Sequence, residues 1–285
     1  MRIGFIGAGK VGCTLGIFFG NTGLADIAGY SSRSIASAQE AAGLTGSRAF
    51  RDTKALIDVC DAVFITVPDG EIREVYEQIK SPALAGKHLC HCSGAMTADE
   101  AFPGLSEYGA SGCSVHPLFP VSDKQHSWKD IDKAYFCLEG KDAELWSGLL
   151  GNMGLHTRMI SGSVKSRYHA ACAVMSNLVC ALAAESIGLL GECGFPEEEA
   201  LAALRPLAEN NLGSIFAKGP SAALTGPVER CDVSTVRKHL ECIPEGNDRE
   251  LYRYASMKLV EVAQQKHPDR NYAAMTAALT EKGKK

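Results

Sequence analysis

MRIGFIGAGKVGCTLG (1–16) places an apolar run directly ahead of Gly7-Ala8-Gly9-Lys10-Val11-Gly12 and a second apolar stretch behind it. Glycines at these offsets answer three different steric demands if residues 2–6 form a strand and residues 11–19 a helix. Gly7 permits the tight turn, Gly9 lets the main chain approach a ligand, and Gly12 lets the helix lie close on the strand. The helix N-terminus is then left to bind a pyrophosphate. Glycines in this pattern also build purely structural turns. The strand before them and the helix after them point instead to dinucleotide binding, with residues 7–12 as the cofactor-binding set.

The second strand selects the cofactor. In an NAD site a carboxylate stands at its end, about 20 residues past the glycines, and accepts a hydrogen bond from the ribose. Here that place holds Ser31-Ser32-Arg33-Ser34, with no carboxylate. Serine hydroxyls and a guanidinium bind phosphate oxygens through charge-assisted hydrogen bonds, which predicts NADP(H). The alternative is that Arg33 is an ordinary solvated loop residue and the main chain holds the ribose.

Bulk properties fit a soluble enzyme of about two domains. In 285 residues, 29 basic and 33 acidic side chains give a net charge of -4 and are mixed along the chain, which argues against nucleic-acid or anionic-membrane partners. No uninterrupted apolar run approaches the roughly 20 residues of a spanning helix, and the nucleotide strand starts too early to leave room for a signal peptide. Eleven cysteines without paired spacing read as reduced thiols in the cytoplasm.

Short apolar segments closed by Gly, Pro or Ser recur at 25–32, 61–68, 87–94, 112–117 and 133–140, with helical stretches such as 34–42 and 70–79 between several of them. This is the pattern of a mostly parallel, doubly wound α/β sheet. After LHTRMI (155–160) it gives way to helical spacing at 164–193, 196–216, 232–242 and 249–265. The expected organisation is a Rossmann-like NADP-binding domain at 1–162 and an all-α domain at 163–285. The tail EKGKK (281–285) reads as disordered.

Three further stretches, HCSGAMTADE (91–100), VHPLFP (115–120) and ALTGPVERCDVSTVRKHL (223–240), carry a resemblance. With the glycine motif they make the chain similar, over nearly its whole length, to Rossmann-like NADP oxidoreductases with a helical C-terminal domain of unknown function. These are distant relatives of ketopantoate reductase, pyrroline-5-carboxylate reductase, 3-hydroxyisobutyrate dehydrogenase and the deazaflavin-dependent NADP reductases. The resemblance implies hydride transfer as the chemistry and an all-α domain used for dimerisation. It supplies no substrate.

Cofactor and substrate should meet beyond the carboxyl ends of the sheet strands. Val67-Pro68-Asp69 follows one strand and suits the cofactor ribose, or equally a turn with a helix cap at Asp69. Ser93 ends the next strand and is a candidate for both cofactor and substrate. The hydroxyisobutyrate-type relatives have Ser-Gly-Gly there, whereas Gly94 is followed by Ala95. His116 is a candidate proton donor or a structural imidazole. Cys90, Cys92, Cys113 and His116 resemble a zinc set, but period-two packing of small hydrophobes explains the cysteines, and no metal is expected. Thr225 and Arg230 are candidate substrate ligands, against an Arg–Asp bridge beside a helix cap at Asp232.

In VKSRYHAACAVMSNLVCALAAES (164–186), Lys165, His169 and Asn177 recur at helical steps along one side, where polar groups in an apolar helix need partners. Relatives of the hydroxyisobutyrate type place a lysine and an asparagine four apart on this helix. Here His169 stands four after Lys165, which leaves the proton donor open among Lys165, His169 and His116. The leading expectation is an NADPH-dependent oxidoreductase reducing a small C=O or C=N compound. The alternatives are a non-catalytic NADP(H)-responsive binding protein and deazaflavin-coupled reduction. The stretch 164–193 is apolar on several faces and must be covered all round, which predicts a homodimer through the helical domain or a complete intramolecular bundle.

Overall fold

Strand β1 (Arg2–Ile6) is buried after its first residue, and its side chains divide by parity: Ile3 and Phe5 enter one core, Ile6 the other. Both faces are covered, as a parallel strand requires. In the computed structural model, which describes residues 1–281, the chain continues through α1 (Lys10–Asn21), β2 (Asp26–Ser31), α2 (Ile35–Thr45), β3 (Arg48–Phe50), α3 (Thr53–Asp58) and β4 (Ala62–Ile65). It then forms α4 (Asp69–Ile79), β5 (His88–His91), α5 (Ala98–Ala101), β6 (Ser111–Leu118), β7 (Tyr135–Gly140), α6 (Ala143–Asn152) and β8 (His156–Met159). Residues 282–285 of the tail expected to be disordered lie outside the described residues.

The eight strands make one sheet in the order β3-β2-β1-β4-β5-β6-β7-β8. Strands β1 to β6 pair in parallel, β7 pairs antiparallel to β6, and β8 is parallel to β7. This is the mostly parallel α/β sheet expected from the sequence, with a switch point between β1 and β4. One core centres on Phe5, Phe64 and Trp146, where Phe64 meets the indole edge-on at 4.9 Å. The other lies under α3, α4 and α5. The three-residue β3 was not foreseen; it is too short for a period-two signal.

Strand β6 outruns its neighbour. Its last partner on β5 is His91, opposite Ser114, and residues 115–118 pair with β7 alone. His116 therefore stands on a two-strand projection beyond the carboxyl end of β5.

From Lys165 onward the chain is helical: α7 (Lys165–Glu192), α8 (Glu197–Lys218), α9 (Pro220–Ala223), α10 (Val233–Cys242), α11 (Asn247–Lys266) and α12 (Ala273–Thr280). The chain divides into two compact units, Met1–Met175 and Ser176–Lys285, so the division falls inside α7. The core of the second unit is built by residues such as Val236, Val260, Tyr272 and Met275 of α10 to α12 and the segment leading into α12. Lys165 is the sole buried residue of α7 among those described. Val174, Met175, Leu178 and Leu182 are all about half exposed, and Leu207 and Phe216 of α8 are 68% and 75% exposed. The segment Gly162–Glu192, which contains an 18-residue window of mean hydropathy 1.7, is long and apolar enough to cross a membrane by length and composition. It is still not an uninterrupted apolar run, because Ser176, Asn177, Glu185 and Ser186 break it.

Candidate active site

Three glycines and one threonine shape the first part of the site. Gly7 has φ +112° in the β1–α1 turn, and a Cβ there would meet the Thr66 carbonyl at 2.7 Å. A Cβ on Gly12 would meet Thr66 Oγ1 at 2.5 Å, where that hydroxyl donates to Gly7 O at 2.8 Å. Both glycines are thus demanded by packing against the end of β4. Gly9 is not, because its Cβ would find no atom nearer than Thr66 O at 3.9 Å. Gly9 is the N-cap of α1, and the first turn of α1 holds no acidic residue. The free space beside this helix N-terminus suits a pyrophosphate.

A cleft of about 660 Å³ runs from this turn across Ser31, Ser32 and Arg33 to Val67 and Pro68. Arg33 is largely exposed and reaches Glu71 of α4 at 3.3 Å. The cleft also contains Arg51 from the β3–α3 connection, Thr53 at the start of α3, and Lys124. Sequence reasoning missed all three, the first two because it missed β3. Ser31 Oγ pairs with Thr53 Oγ1 at 2.8 Å, and Ser34 caps α2 by accepting from Ser37 N at 3.4 Å. Ala8 is buried beside the glycines, Lys10 is exposed and Val11 half-buried.

Beyond the cleft, Asp69 is the first residue of α4 rather than its cap, which is Pro68. Its carboxylate accepts from Ser93 Oγ at 2.6 Å, and Ser93 Oγ accepts from Met96 N at 3.1 Å. Gly94 follows, and a Cβ there would strike His169 Cδ2 and lie 2.9 Å from His116 Nε2. The two imidazoles thus converge on Gly94 with ring centres 6.0 Å apart. His116 Nδ1 is hydrogen-bonded to Tyr168 Oη at 2.6 Å. Burial, reinforced by the nearby charge of Lys165, lowers the His116 pKa to about 4, so the ring is neutral at neutral pH.

Lys165 is fully buried; its Nζ donates to Ser114 Oγ at 2.5 Å, and Ser114 Oγ donates to Ser93 O at 3.1 Å. The structure therefore brings Ser93, His116, Lys165 and His169 together. It adds Tyr168 and Ser114, which sequence reasoning missed. Tyr168 lies three residues after Lys165, a helical step that offered a signal.

The remaining candidates lie in the second unit. Asn177 is exposed, with Oδ1 accepting from Ser176 Oγ at 2.8 Å. Thr225 and Arg230 are exposed on the turn before α10. Asp232 caps α10 by accepting from Thr235 N at 3.1 Å, and hydrogen bonds from Thr235 and Ser234 lower its pKa to about 2. Cys90 and Cys113 are partners across β5 and β6 and are fully buried. Among the described residues no group of three His, Cys, Asp or Glu side chains is placed to hold a metal.

Comparison with known proteins bears on the family and the fold. Residues 2–93 match the family described as NADP oxidoreductase, coenzyme F420-dependent, and residues 134–259 match a domain of unknown function, DUF2520. The chain thus carries, in order, a stretch matching an NADP-oxidoreductase family and a stretch matching a domain of unknown function. Among solved structures, this two-part chain resembles a protein from Thermotoga maritima at 28% identity, covering 93% of this chain and 99% of that one, with a TM-score of 0.72. More distant likenesses, at the level of fold, are an imine reductase from Myxococcus stipitatus in complex with NADP+ (17%, 99% and 100% covered, TM-score 0.62) and a pyrroline carboxylate reductase from Plasmodium falciparum with NADP bound (15%, 98% of each covered, TM-score 0.55). No curated protein matches the chain.

Proposed function

We propose that this NADP oxidoreductase is an NADPH-dependent reductase of a small C=O or C=N compound. The observation that carries the reading is the convergence of His116 and His169 on Gly94, beyond the carboxyl end of β5. Bound NADPH supplies a hydride to the substrate carbon, and the chain must then protonate the oxygen or nitrogen on which charge develops. Lys165 is buried with its Nζ on Ser114, and His116 is neutral, with Nδ1 held by Tyr168 and Nε2 facing Gly94. His169 is accordingly the proton donor, His116 orients the heteroatom through Nε2, and Lys165 stabilises negative charge from behind. Loss of NADPH absorbance on incubation with a panel of α-keto acids and cyclic imines tests the reading. Tight NADPH binding without consumption by any of them would favour a nucleotide-responsive binding protein.

Arg33 and Arg51 on the cleft support selection for the 2'-phosphate. NADPH is expected to bind at least about tenfold tighter than NADH, roughly 1.4 kcal/mol. Arg33→Ala and Arg51→Ala should each narrow the gap by weakening NADPH alone. Equal affinities in fluorescence titrations of the wild type would refute the preference.

The exposed apolar side chains of α7 and α8 support a homodimer formed through the helical region. Sedimentation without detergent at micromolar concentration should give about twice the 30.3 kDa chain mass. A monomer there would contradict the assembly.

A further inference from the structure

Lys165 stands where a positive charge is least favoured. It is fully buried, and it is the first residue of α7, where outward main-chain N–H groups and the helix macrodipole oppose a cation. Its hydrogen-bond partner Ser114 is neutral, so the bond satisfies a donor and leaves the charge uncompensated.

The compensation lies on the next strand. Glu139 of β7 is the direct antiparallel partner of Ser114, and such partners project from the same face with Cβ atoms about 5 Å apart. Glu139 is only 6% exposed. Its Oε2 accepts from Ala98 N at 2.8 Å. Its Oε1 is the nearest atom, at 3.2 Å, to the position a Cβ would take on Gly162, in the turn that leads into α7. The carboxylate therefore sits at the positive end of the helix, beside the lysine's strand partner. We propose that Glu139 is a positioning residue of this site: its carboxylate holds the buried Lys165 ammonium charged and, through Ala98, ties the loop 93–97 to the same point.

The other groups around Lys165 do not compete for this role. They are the thiols of Cys92 after β5, Cys113 on β6 and Cys137 on β7, all pushed up, and the imidazoles of His91 and His116, both pushed down by burial. At neutral pH these five are uncharged. Glu100 of α5 also feels Lys165, but it is exposed and accepts from Thr97 N and Oγ1. Burial lowers the Lys165 pKa, and the largest opposing influence is Glu139.

The functional meaning rests on the reductase reading, whereas the charge pairing can be measured without turnover. Glu139→Gln keeps an oxygen for Ala98 N–H and removes the charge; Glu139→Asp keeps the charge with a shorter reach. With 13C at lysine Cε and the Lys165 resonance assigned by its loss in Lys165→Met, Lys165 should titrate roughly one to three pH units lower in Glu139→Gln than in wild type. Glu139→Asp should move it back toward the wild-type value. An unchanged titration in Glu139→Gln overturns the proposal. If Glu139→Gln does not fold, Lys165→Met/Glu139→Gln decides by thermal unfolding: two paired charges removed together should restore folding, and a double variant as unstable as the single one overturns it. A shifted titration with no substrate ever reduced would leave the pairing standing and count against the reductase reading.

Discussion

Gly9→Val is expected to weaken NADPH binding at least about 100-fold, roughly 2.7 kcal/mol, while moving the thermal midpoint by no more than about 2 °C. The contrast with its neighbours supplies the reason. A side chain at Gly7 or Gly12 strikes Thr66, so substitution there damages the fold itself. Gly9 has φ -83° and ψ -172°, an extended backbone that valine adopts freely, and its Cβ would meet no atom nearer than 3.9 Å. The valine methyls instead enter the space in which a pyrophosphate approaches the N-terminus of α1. Calorimetric titration with NADPH, with unfolding followed in parallel, separates the two effects. Undiminished affinity would place the phosphates elsewhere.

His169→Ala is expected to lower kcat about 100-fold, the scale of losing one general acid, with NADPH affinity within about twofold of wild type because the proposed cofactor contacts lie around Gly9 and Arg33. Lys165→Met should have a comparable effect through the loss of charge behind the developing anion. The two are distinguishable by pH. A mechanism in which His169 carries the proton loses its titrating limb in His169→Ala and keeps it in Lys165→Met. His116 gains its proton only as the pH falls through about 4, so it contributes no limb between about pH 5 and 9. Should both variants keep near-normal turnover of an identified substrate, the donor must be sought at His116 and Tyr168.

The first part of the site was legible because each of its residues answers a local constraint. Gly7 and Gly12 announce a turn and a close helix through spacing alone, and the missing carboxylate at 31–34 carries the expectation of a phosphate. Arg51 and Thr53 were not legible, since they follow a strand of three residues. The second part was half legible. The helical step from Lys165 to His169 correctly grouped two polar side chains, but their partners come from register rather than from spacing. His116 reaches Gly94 because β6 outruns β5, and Glu139 meets Ser114 because β7 reverses direction. Neither the length of an overhang nor the sense of a strand is written in a period-two pattern. For α7 the apolar sequence leads to the expectation of cover on several sides, while among the described residues Lys165 is its sole buried side chain.

If the proposed homodimer covers it, that exposed helix makes conformational stability a function of how much protein is present. A segment of 28 residues, about 42 Å of rod, gains its burial from association if a second copy supplies the missing surface, so folding and assembly become one mass-action equilibrium. The unfolding midpoint then climbs with protein concentration, dilution acts as a denaturant, and a quoted Tm has no meaning without the concentration at which it was taken.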